Sequence, residues 1–335
     1  MDALLRVDNL RKDYPVRSGA LRRAAGTIRA VDGVSLEVEQ GATFGLLGES
    51  GCGKSTLARL VLALEPPTSG RVLFRGRDPH ALDRGALKAW RRQVQLVSQD
   101  PASALPARMR VGRIVEEPLR VHRIGAAPER RAHAAELLTQ VGLQPRHVAS
   151  YQHQLSGGQR QRVVIARALA LEPALVVCDE PVSALDVSVQ AQVLNLLRSL
   201  QERLGLTYLF ISHDLGVVRH MADVIGVMYL GALVERGPAA VVYAEPLHPY
   251  TRILLDAVPS VRRAGRRDRA AQPAAGEPSR AALGERGCPF RPRCPLAGER
   301  CEVERPPLRR VAPDRWAACH YAEEVPLRLP GRTVA

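Results

Sequence analysis

The chain has 335 residues, of which 46% are hydrophobic and 24% charged, and its formal net charge is +14. This composition predicts a packed core and excludes a largely disordered chain. The arginines that carry the charge are spread along the sequence without a basic helix interleaved with aromatic residues, which make up 4%. We therefore expect no nucleic-acid partner, and the basic surface suits anionic lipid headgroups at least as well.

The sequence contains no sign of insertion into a membrane or of export. No stretch reaches the roughly 18 uninterrupted apolar residues that a membrane span needs. The N-terminus lacks the basic start and apolar run of a signal peptide. We expect a soluble, cytosolic chain.

The N-terminal part of the chain predicts strands followed by a glycine-rich turn. Residues 4–7 and 34–38 alternate in the period of half-buried strands, with a basic loop predicted over 17–29. The apolar run at 43–47 predicts a buried parallel strand, and a helix is expected from about Lys54.

The rest of the first 258 residues alternates between helices and strands. We predict a helix and then a strand within 83–98, mostly helix over 110–170, a strand at 175–178, a helix at 187–204, and strands at 209–211 and 224–228. This alternation predicts an α/β fold in which helices cover both faces of a parallel sheet.

The glycine-rich turn fits the P-loop pattern of a glycine, four residues and Gly-Lys-Ser. Backbone N–H groups of such a turn bind phosphate oxygens, while the lysine ammonium lies near the β- and γ-phosphates and the serine hydroxyl ligates Mg²⁺. The predicted nucleotide-binding residues are Gly48, Glu49, Ser50, Gly51, Cys52, Gly53, Lys54, Ser55 and Thr56.

Two acidic residues follow the predicted buried strand at 175–178. Asp179 at the strand end can hold Mg²⁺, and Glu180 is the candidate general base that polarises the attacking water. Together with the P-loop, this pair predicts nucleotide hydrolysis.

A second phosphate-binding turn precedes the helix predicted at 160–170. Ser156, Gly157, Gly158 and Gln159 place glycines and a hydroxyl at a helix N-terminus, where anions bind. One nucleotide needs only one P-loop. We therefore expect a dimer in which each ATP lies between the P-loop of one subunit and the serine-glycine turn of the other.

With Leu-Ser-Gly-Gly-Gln at 155–159, the sequence resembles the ABC ATPases. The resemblance implies a P-loop NTPase with a RecA-like parallel sheet, an antiparallel β subdomain and a helical subdomain at about 100–168. It implies ATP and Mg²⁺ as cofactors. It assigns Gln99 to Mg²⁺ and to coupling with the membrane subunit, Asp186 to the D-loop, His213 to the γ-phosphate and Tyr14 to adenine. The implied catalytic residues are thus Glu180, His213 and Gln99, with Mg²⁺ held through Ser55, Gln99 and Asp179.

A narrower resemblance, to the oligopeptide/dipeptide permease branch, rests on residues 48–54, 179–186 and 246–251 and on a cysteine-bearing tail. It implies an ATPase subunit that powers import of di- and oligopeptides from the cytoplasmic face of the cell membrane, as a peripheral protein. The implied partners are two membrane-spanning permease subunits, a second ATPase subunit, expected to be a paralogue, and an extracytoplasmic solute-binding protein. The insertion at 17–29 makes the chain similar to the second ATPase of the pair.

Other functions remain open at this stage. The same motor role could serve a nickel chelate, an opine or a glutathione-like substrate. Soluble ABC ATPases that act on ribosomes or DNA typically join two cassettes or insert a long coiled coil, and neither is seen here. A cassette that binds ATP without hydrolysing it would be expected to lack a base such as Glu180.

We divide the chain into an ABC ATPase domain at 1–258, a linker at 259–287 and a C-terminal extension at 288–335. The extension contains four of the six cysteines, Cys288, Cys294, Cys301 and Cys319. Four thiolates can bind an iron–sulfur cluster or Zn²⁺, and a disulfide framework is not expected in the cytosol. The resemblance favours a [4Fe-4S] cluster, with zinc or no metal as alternatives. Cys52 and Cys178 are predicted to be space-filling thiols.

Overall fold

A long N-terminal hairpin forms most of a three-stranded antiparallel sheet, in which β1 (Leu5–Ser18) lies between β2 (Arg23–Val38) and β4 (Ser69–Phe74). The structure, a computed structural model, describes residues 3–18, 23–257 and 286–325. The predicted loop over 17–29 is wrong for residues 23–29, which pair with β1. Residues 26–29 are exposed, so they lack the apolar alternation that marks a half-buried strand.

A mixed sheet of eight strands, ordered β10-β11-β9-β8-β3-β7-β6-β5, forms the centre of the molecule. Its parallel strands are β3 (Thr43–Leu47), β5 (Val94–Val97), β6 (Leu175–Asp179), β7 (Thr207–Ser212) and β8 (Val224–Tyr229). Its antiparallel strands are β9 (Ala232–Pro238), β10 (Arg309–Ala312) and β11 (Arg315–Ala317). Because parallel strands end at the same edge, the residues that follow β3, β5, β6 and β7 meet there.

Helices cover both faces of this sheet. They are α1 (Lys54–Val61), α2 (Arg84–Gln93), α3 (Pro101–Ala104), α4 (Val111–Val121), α5 (Ala127–Gln140), α6 (Gly157–Leu169), α7 (Val187–Leu204), α8 (Leu215–Met221), α9 (Ala239–Ala244), α10 (Pro249–Ala257) and α11 (Arg300–Val303). None of the described helices is both long enough and apolar enough to span a bilayer.

Strand β6 shows why the central strands have uninterrupted apolar sequences. Val176 and Cys178 belong to one hydrophobic cluster, and Leu175 and Val177 belong to a second one. Successive side chains of a strand point to opposite faces, so both faces of this strand are buried. The predicted α/β fold, with helices on both faces, is confirmed.

The sequence did not predict β4, β9, β10 and β11. In β9 the apolar pattern is broken by Glu235, which is fully buried. The Glu235 carboxylate accepts hydrogen bonds from the N–H groups of Leu247 and His248, at 2.8 and 3.0 Å. These partners come from a later segment of the chain, so the sequence of β9 does not show why a carboxylate is tolerated there.

The cysteine-bearing extension packs directly on the ATPase domain. Strand β11 pairs with β9 and so extends the main sheet. Phe290 is buried, with ring contacts to Tyr229, Tyr250 and His248 at centroid distances of 5.2 to 5.6 Å. Of the predicted linker at 259–287, only residues 286 and 287 are among the described residues.

Candidate functional site

The turn between β3 and α1 can be formed only with glycine at two of its positions. Gly48 and Gly53 have φ of 156° and 112°, and a Cβ there would lie 2.3 Å from the Met228 carbonyl oxygen and 2.1 Å from that of Ala30. The turn therefore packs against backbone on its outer side. The Lys54 ammonium group lies on the inner side of the turn.

The Lys54 side chain is buried, with 4% of its surface exposed. Its ammonium group donates hydrogen bonds to the carbonyl oxygens of Gly48 and Glu49 at 2.7 and 3.0 Å. Ser50, Gly51 and Ser55 are exposed, whereas Cys52 and Thr56 are buried, so Cys52 is the space-filling thiol that the sequence predicts. The turn thus forms a positively charged cradle with an open side.

Ser55 and Asp179 bring two oxygen donors together beside this cradle. The Ser55 hydroxyl donates to Asp179 Oδ1 at 3.2 Å, across the ends of β3 and β6. Burial raises the pKa of Asp179, while the bond from Ser55 acts in the opposite direction. A hydroxyl and a carboxylate are ligands that Mg²⁺ accepts, and Mg²⁺ held here would neutralise charge on the phosphates.

Glu180 holds its carboxylate between side chains from two other strand ends. Its Oε2 accepts from Gln99 Nε2 at 3.0 Å, and its Oε1 lies 3.1 Å from His213 Nδ1. The Glu180 backbone is left-handed, with φ of 48°, and its N–H donates to the Ile211 carbonyl at 2.9 Å. A non-glycine residue pays a steric cost in this conformation, which is typical of functional sites. The structure thus brings all three predicted catalytic residues together.

Tyr14 lies on β1, beside the first turn of α1. Its hydroxyl donates to Glu65, and the Lys12 ammonium lies 5.2 Å from its ring centroid. Burial raises the pKa of Tyr14, and the carboxylate of Glu65 adds to the shift, while the hydroxyl of Thr56 opposes it. The ring is therefore near the P-loop helix, and its stacking on adenine stays a prediction.

The Ser156 turn is the N-terminus of α6, one turn of chain earlier than the helix predicted from 160. The Ser156 hydroxyl accepts from the Gln159 N–H at 3.3 Å, and the Ser156 N–H donates to Gln159 Oε1 at 2.9 Å, which is a capping box. Gly158 needs to be glycine because a Cβ would lie 2.4 Å from Val189 Cγ1 of α7.

The side-chain hydrogen bonds of this turn stay local. Within the described part of the chain, the side-chain hydrogen bonds of Ser156 and Gln159 join only each other. Ser156 and Gly157 are exposed, as is Asp186, the N-terminal residue before α7. Among the described residues, no hydrogen bond joins the Ser156 side chain to Gln99, Glu180 or His213.

The four cysteines of the extension lie within electrostatic reach of one another. Burial raises the pKa of Cys294 to about 11 and of Cys319 to about 12, and the neighbouring thiols Cys288 and Cys301 add to both shifts. The Tyr321 N–H donates to Cys319 Sγ at 3.4 Å. Among residues 3–18, 23–257 and 286–325, no group of three or more His, Cys, Asp or Glu side chains is placed to hold a metal ion. The iron–sulfur assignment therefore stays a prediction.

Cys178 is fully buried in β6, and burial raises its pKa, as expected of a space-filling thiol.

Sequence reasoning missed a contact between the extension and the P-loop. Arg293 donates two hydrogen bonds to the Glu49 carboxylate, at 2.9 and 2.7 Å. The Glu49 N–H donates to the Tyr250 hydroxyl at 3.0 Å. Arg293 and Glu49 are 244 positions apart in the sequence, so no local signal predicts this pairing.

Comparison with known proteins agrees with this geometry. Residues 31–183 match the ABC transporter family, and residues 234–301 match the oligopeptide/dipeptide transporter C-terminal region. The oligopeptide transport ATP-binding protein AppF of Bacillus subtilis (strain 168) is 46% identical over 320 residues, covering 95% of this chain and 97% of that protein. The chain belongs to the ABC transporter ATP-binding proteins.

Further relatives support both the family and the fold. The di/tripeptide transport ATP-binding protein DppF of Pseudomonas aeruginosa (strain UCBPP-PA14) is 44% identical over 332 residues, covering 97% of this chain and 99% of that protein. A solved dimeric ATP-binding cassette, MJ0796 in a post-hydrolysis state with ADP and Pi, matches with a TM-score of 0.62 and 32% identity, covering 70% of this chain and 98% of its own. The predicted family and the predicted ABC-cassette fold are confirmed. As an ABC ATPase, the chain uses ATP and Mg²⁺ and associates with membrane permease subunits.

Proposed function

We propose that this chain is the ATP-hydrolysing subunit of a peptide-importing ABC transporter and supplies half of each of two shared ATP sites. The observation that carries the proposal is the Glu180 carboxylate, held between Gln99 and His213 beside the Ser55–Asp179 pair. Relatives that are 44 to 48% identical over most of the chain are named as peptide or oligopeptide transport ATP-binding proteins.

In the proposed reaction, the P-loop N–H groups and Lys54 bind the phosphates, and Ser55, Gln99 and Asp179 hold Mg²⁺. Glu180 orients a water molecule and accepts its proton as the water oxygen attacks the γ-phosphorus. The bond to the β,γ-bridging oxygen breaks, and ADP leaves with the electron pair. His213 contacts the γ-phosphate and, by its bond to Glu180, holds the carboxylate in place. Catalysis here is mainly positioning and electrostatic stabilisation.

The Ser156 turn supplies the other half of the site to a partner subunit. It is exposed, it presents a helix N-terminus, and its side-chain bonds stay within the turn. The similar solved cassette is dimeric. We propose that the ATPase partner is a paralogue and that the complex also contains two permease subunits and an extracytoplasmic solute-binding protein. In this assembly, the chain lies on the cytoplasmic face of the cell membrane.

The test is ATP hydrolysis by the complete transporter in lipid vesicles, measured with and without a di- or tripeptide and the solute-binding protein. We expect peptide to stimulate hydrolysis several-fold, and a transporter carrying Glu180→Gln to lose both basal and stimulated activity. Stimulation by a nickel chelate or an opine, and none by peptides, would assign a different cargo. A chain that hydrolyses ATP but binds no permease would instead be a soluble ABC ATPase.

We also propose that Cys288, Cys294, Cys301 and Cys319 hold a [4Fe-4S] cluster. The support is the donor type, because four thiols lie within electrostatic reach of one another and backbone N–H groups of Phe290, Leu296 and Tyr321 lie near three of the sulfurs. Such N–H groups stabilise sulfur ligands that carry negative charge, and metal binding displaces the thiol protons. When bound, the cluster would offer one-electron redox chemistry.

Iron, acid-labile sulfide and zinc should be measured in protein purified without oxygen. We expect four irons per chain and an absorption band near about 400 nm, and both should disappear in a Cys294→Ser variant. Stoichiometric zinc without iron would contradict the cluster.

A further inference from the structure

The residues of the extension nearest the P-loop form a short turn between two cysteines. Arg293 ends a 3₁₀ turn, Arg291–Arg293, that lies between Cys288 and Cys294. Backbone hydrogen bonds fix this turn, because Arg291 N–H donates to the Cys288 carbonyl and Arg293 N–H to the Phe290 carbonyl, at 3.1 and 3.0 Å. These bonds therefore fix the position of the backbone that carries the Arg293 side chain.

The Arg293 guanidinium is well shielded from water. Its side chain is 11% exposed. It lies 5.8 to 6.0 Å from the ring centroids of Tyr229, Tyr250 and Phe290. Rings around a guanidinium strengthen its bonds by excluding water, so this bidentate pair is stronger than an exposed ion pair.

The partner of Arg293 is a residue of the nucleotide cradle. Glu49 offers its carboxylate to Arg293, its N–H to the Tyr250 hydroxyl and its carbonyl oxygen to the Lys54 ammonium. All polar groups of Glu49 thus have partners. Two of these partners, Tyr250 and Arg293, follow strand β8 in the sequence. A displacement of the Glu49 backbone would carry with it an oxygen that contacts Lys54.

The negative charge of Glu49 and the positive charge of Arg293 bear directly on the binding of the negatively charged ATP. A carboxylate in the P-loop repels a triphosphate, and because the Glu49 side chain is only 30% exposed, solvent screens this repulsion in part. Arg293 neutralises this charge and keeps the carboxylate on the side of the extension. We propose that Arg293 is a positioning residue for nucleotide binding, through which the cysteine-bearing extension completes the P-loop.

This inference rests on the proposed ATP binding, so the experiment begins with the dissociation constant of the full-length wild-type chain for a fluorescent ATP analogue. The variants are Arg293→Ala, Arg293→Lys, Glu49→Gln and the double variant Arg293→Ala/Glu49→Gln. Arg300→Ala is the matched control, because Arg300 is an exposed arginine of the same extension that pairs with Glu304. Melting temperatures check that each variant is folded.

We expect Arg293→Ala to weaken ATP binding about tenfold and to raise KM for ATP equally, with kcat within about twofold of wild type. Arg293→Lys keeps the charge without the bidentate geometry, so its loss should be about threefold. The double variant should bind within about threefold of wild type, because the unpaired carboxylate is gone. Arg300→Ala should bind like wild type.

Two outcomes would overturn the inference. One is an Arg293→Ala chain that is folded and binds ATP within twofold of wild type. The other is a double variant that binds as weakly as Arg293→Ala, because a merely structural role of Arg293 would not be relieved by removing the charge of Glu49. A wild-type chain that fails to bind the ATP analogue would contradict the proposed function itself.

Discussion

Two regions carry the residues predicted to bind ATP, and their surroundings differ. One is the strand-end edge, where β3, β5, β6 and β7 end around Glu180, and the other is the turn at Ser156. At the edge, Glu180 accepts a hydrogen bond from Gln99 and lies 3.1 Å from His213, and Ser55 donates to Asp179, so each functional side chain has a functional partner. Among the residues that the structure describes, the side-chain hydrogen bonds of Ser156 and Gln159 join only each other. The sheet assembles the first group inside one chain, whereas we propose that the second acts on the nucleotide of a partner subunit. The comparison indicates a shared site whose two parts can be inactivated separately.

The largest expected effect is at the edge. Glu180→Gln keeps the size of the side chain and one acceptor oxygen but cannot accept the proton of the attacking water. We expect hydrolysis to fall at least about 100-fold, as for loss of a general base, with ATP binding within about threefold of wild type. The chain should accumulate as an ATP-bound dimer, which size-exclusion chromatography with light scattering detects. Hydrolysis at the wild-type rate would refute Glu180 as the base.

A second variant tests whether the Ser156 turn acts on another subunit's nucleotide. Ser156→Arg places a long cationic side chain on the exposed turn, and His153→Arg, at another exposed position nearby, is the control. In a complex with a paralogous ATPase subunit, photo-crosslinked ATP can be counted on each separated subunit. We expect about a tenfold loss of label on the partner, with label retained on this chain.

Lys54→Ala should give the opposite pattern, with the label lost on this chain because its own P-loop is impaired. If Ser156→Arg instead removed the label from its own chain, the turn would act within one subunit, and the shared-site interpretation would be wrong.

The smallest expected effect is a pH dependence of Mg-ATP affinity, which we expect from the strand-end edge and not from the Ser156 turn. Burial raises the folded-state pKa of Asp179. The nucleotide-free fold therefore gains stability from this group as the pH falls through that pKa, and loses it as the pH rises. Mg²⁺ needs the ionised carboxylate, so affinity for Mg-ATP should fall a few-fold between pH 7 and pH 5.

The control is ATP with EDTA, whose binding should change less over the same pH range because it does not use the carboxylate. Equal changes with and without Mg²⁺ would mean that another group is responsible. Ser156 and its partner Gln159 do not titrate, so a pH response that depends on Mg²⁺ does not come from their turn.

Much of this site could be predicted from the sequence, because its motifs are short and lie next to recognisable strands. The run at 43–47 followed by the glycines and Lys54 predicts both a strand and the turn that follows it. The same holds for 175–178 and the two acids after it. Since the parallel strands end at one edge, the order of these motifs was enough to expect Lys54, Asp179 and Glu180 together.

Contacts between distant segments were decided by tertiary structure alone. Glu235 breaks the pattern of β9 in the sequence, yet it is buried in the fold because Leu247 and His248 turn their N–H groups towards it. Glu49 looks like an ordinary P-loop residue until Arg293, from the extension, is placed against it.

The sequence by itself thus determined the chemistry, since phosphate binding, magnesium binding and water activation each need particular side chains at fixed local spacing. Tertiary structure decided which charges are neutralised and which are left exposed, because that depends on which surfaces meet. It paired Glu49 with Arg293 across 244 residues and left the Ser156 turn open at the surface. The contact supports our proposal that the extension completes the P-loop, and the exposed turn supports our proposal of a site shared with a partner subunit.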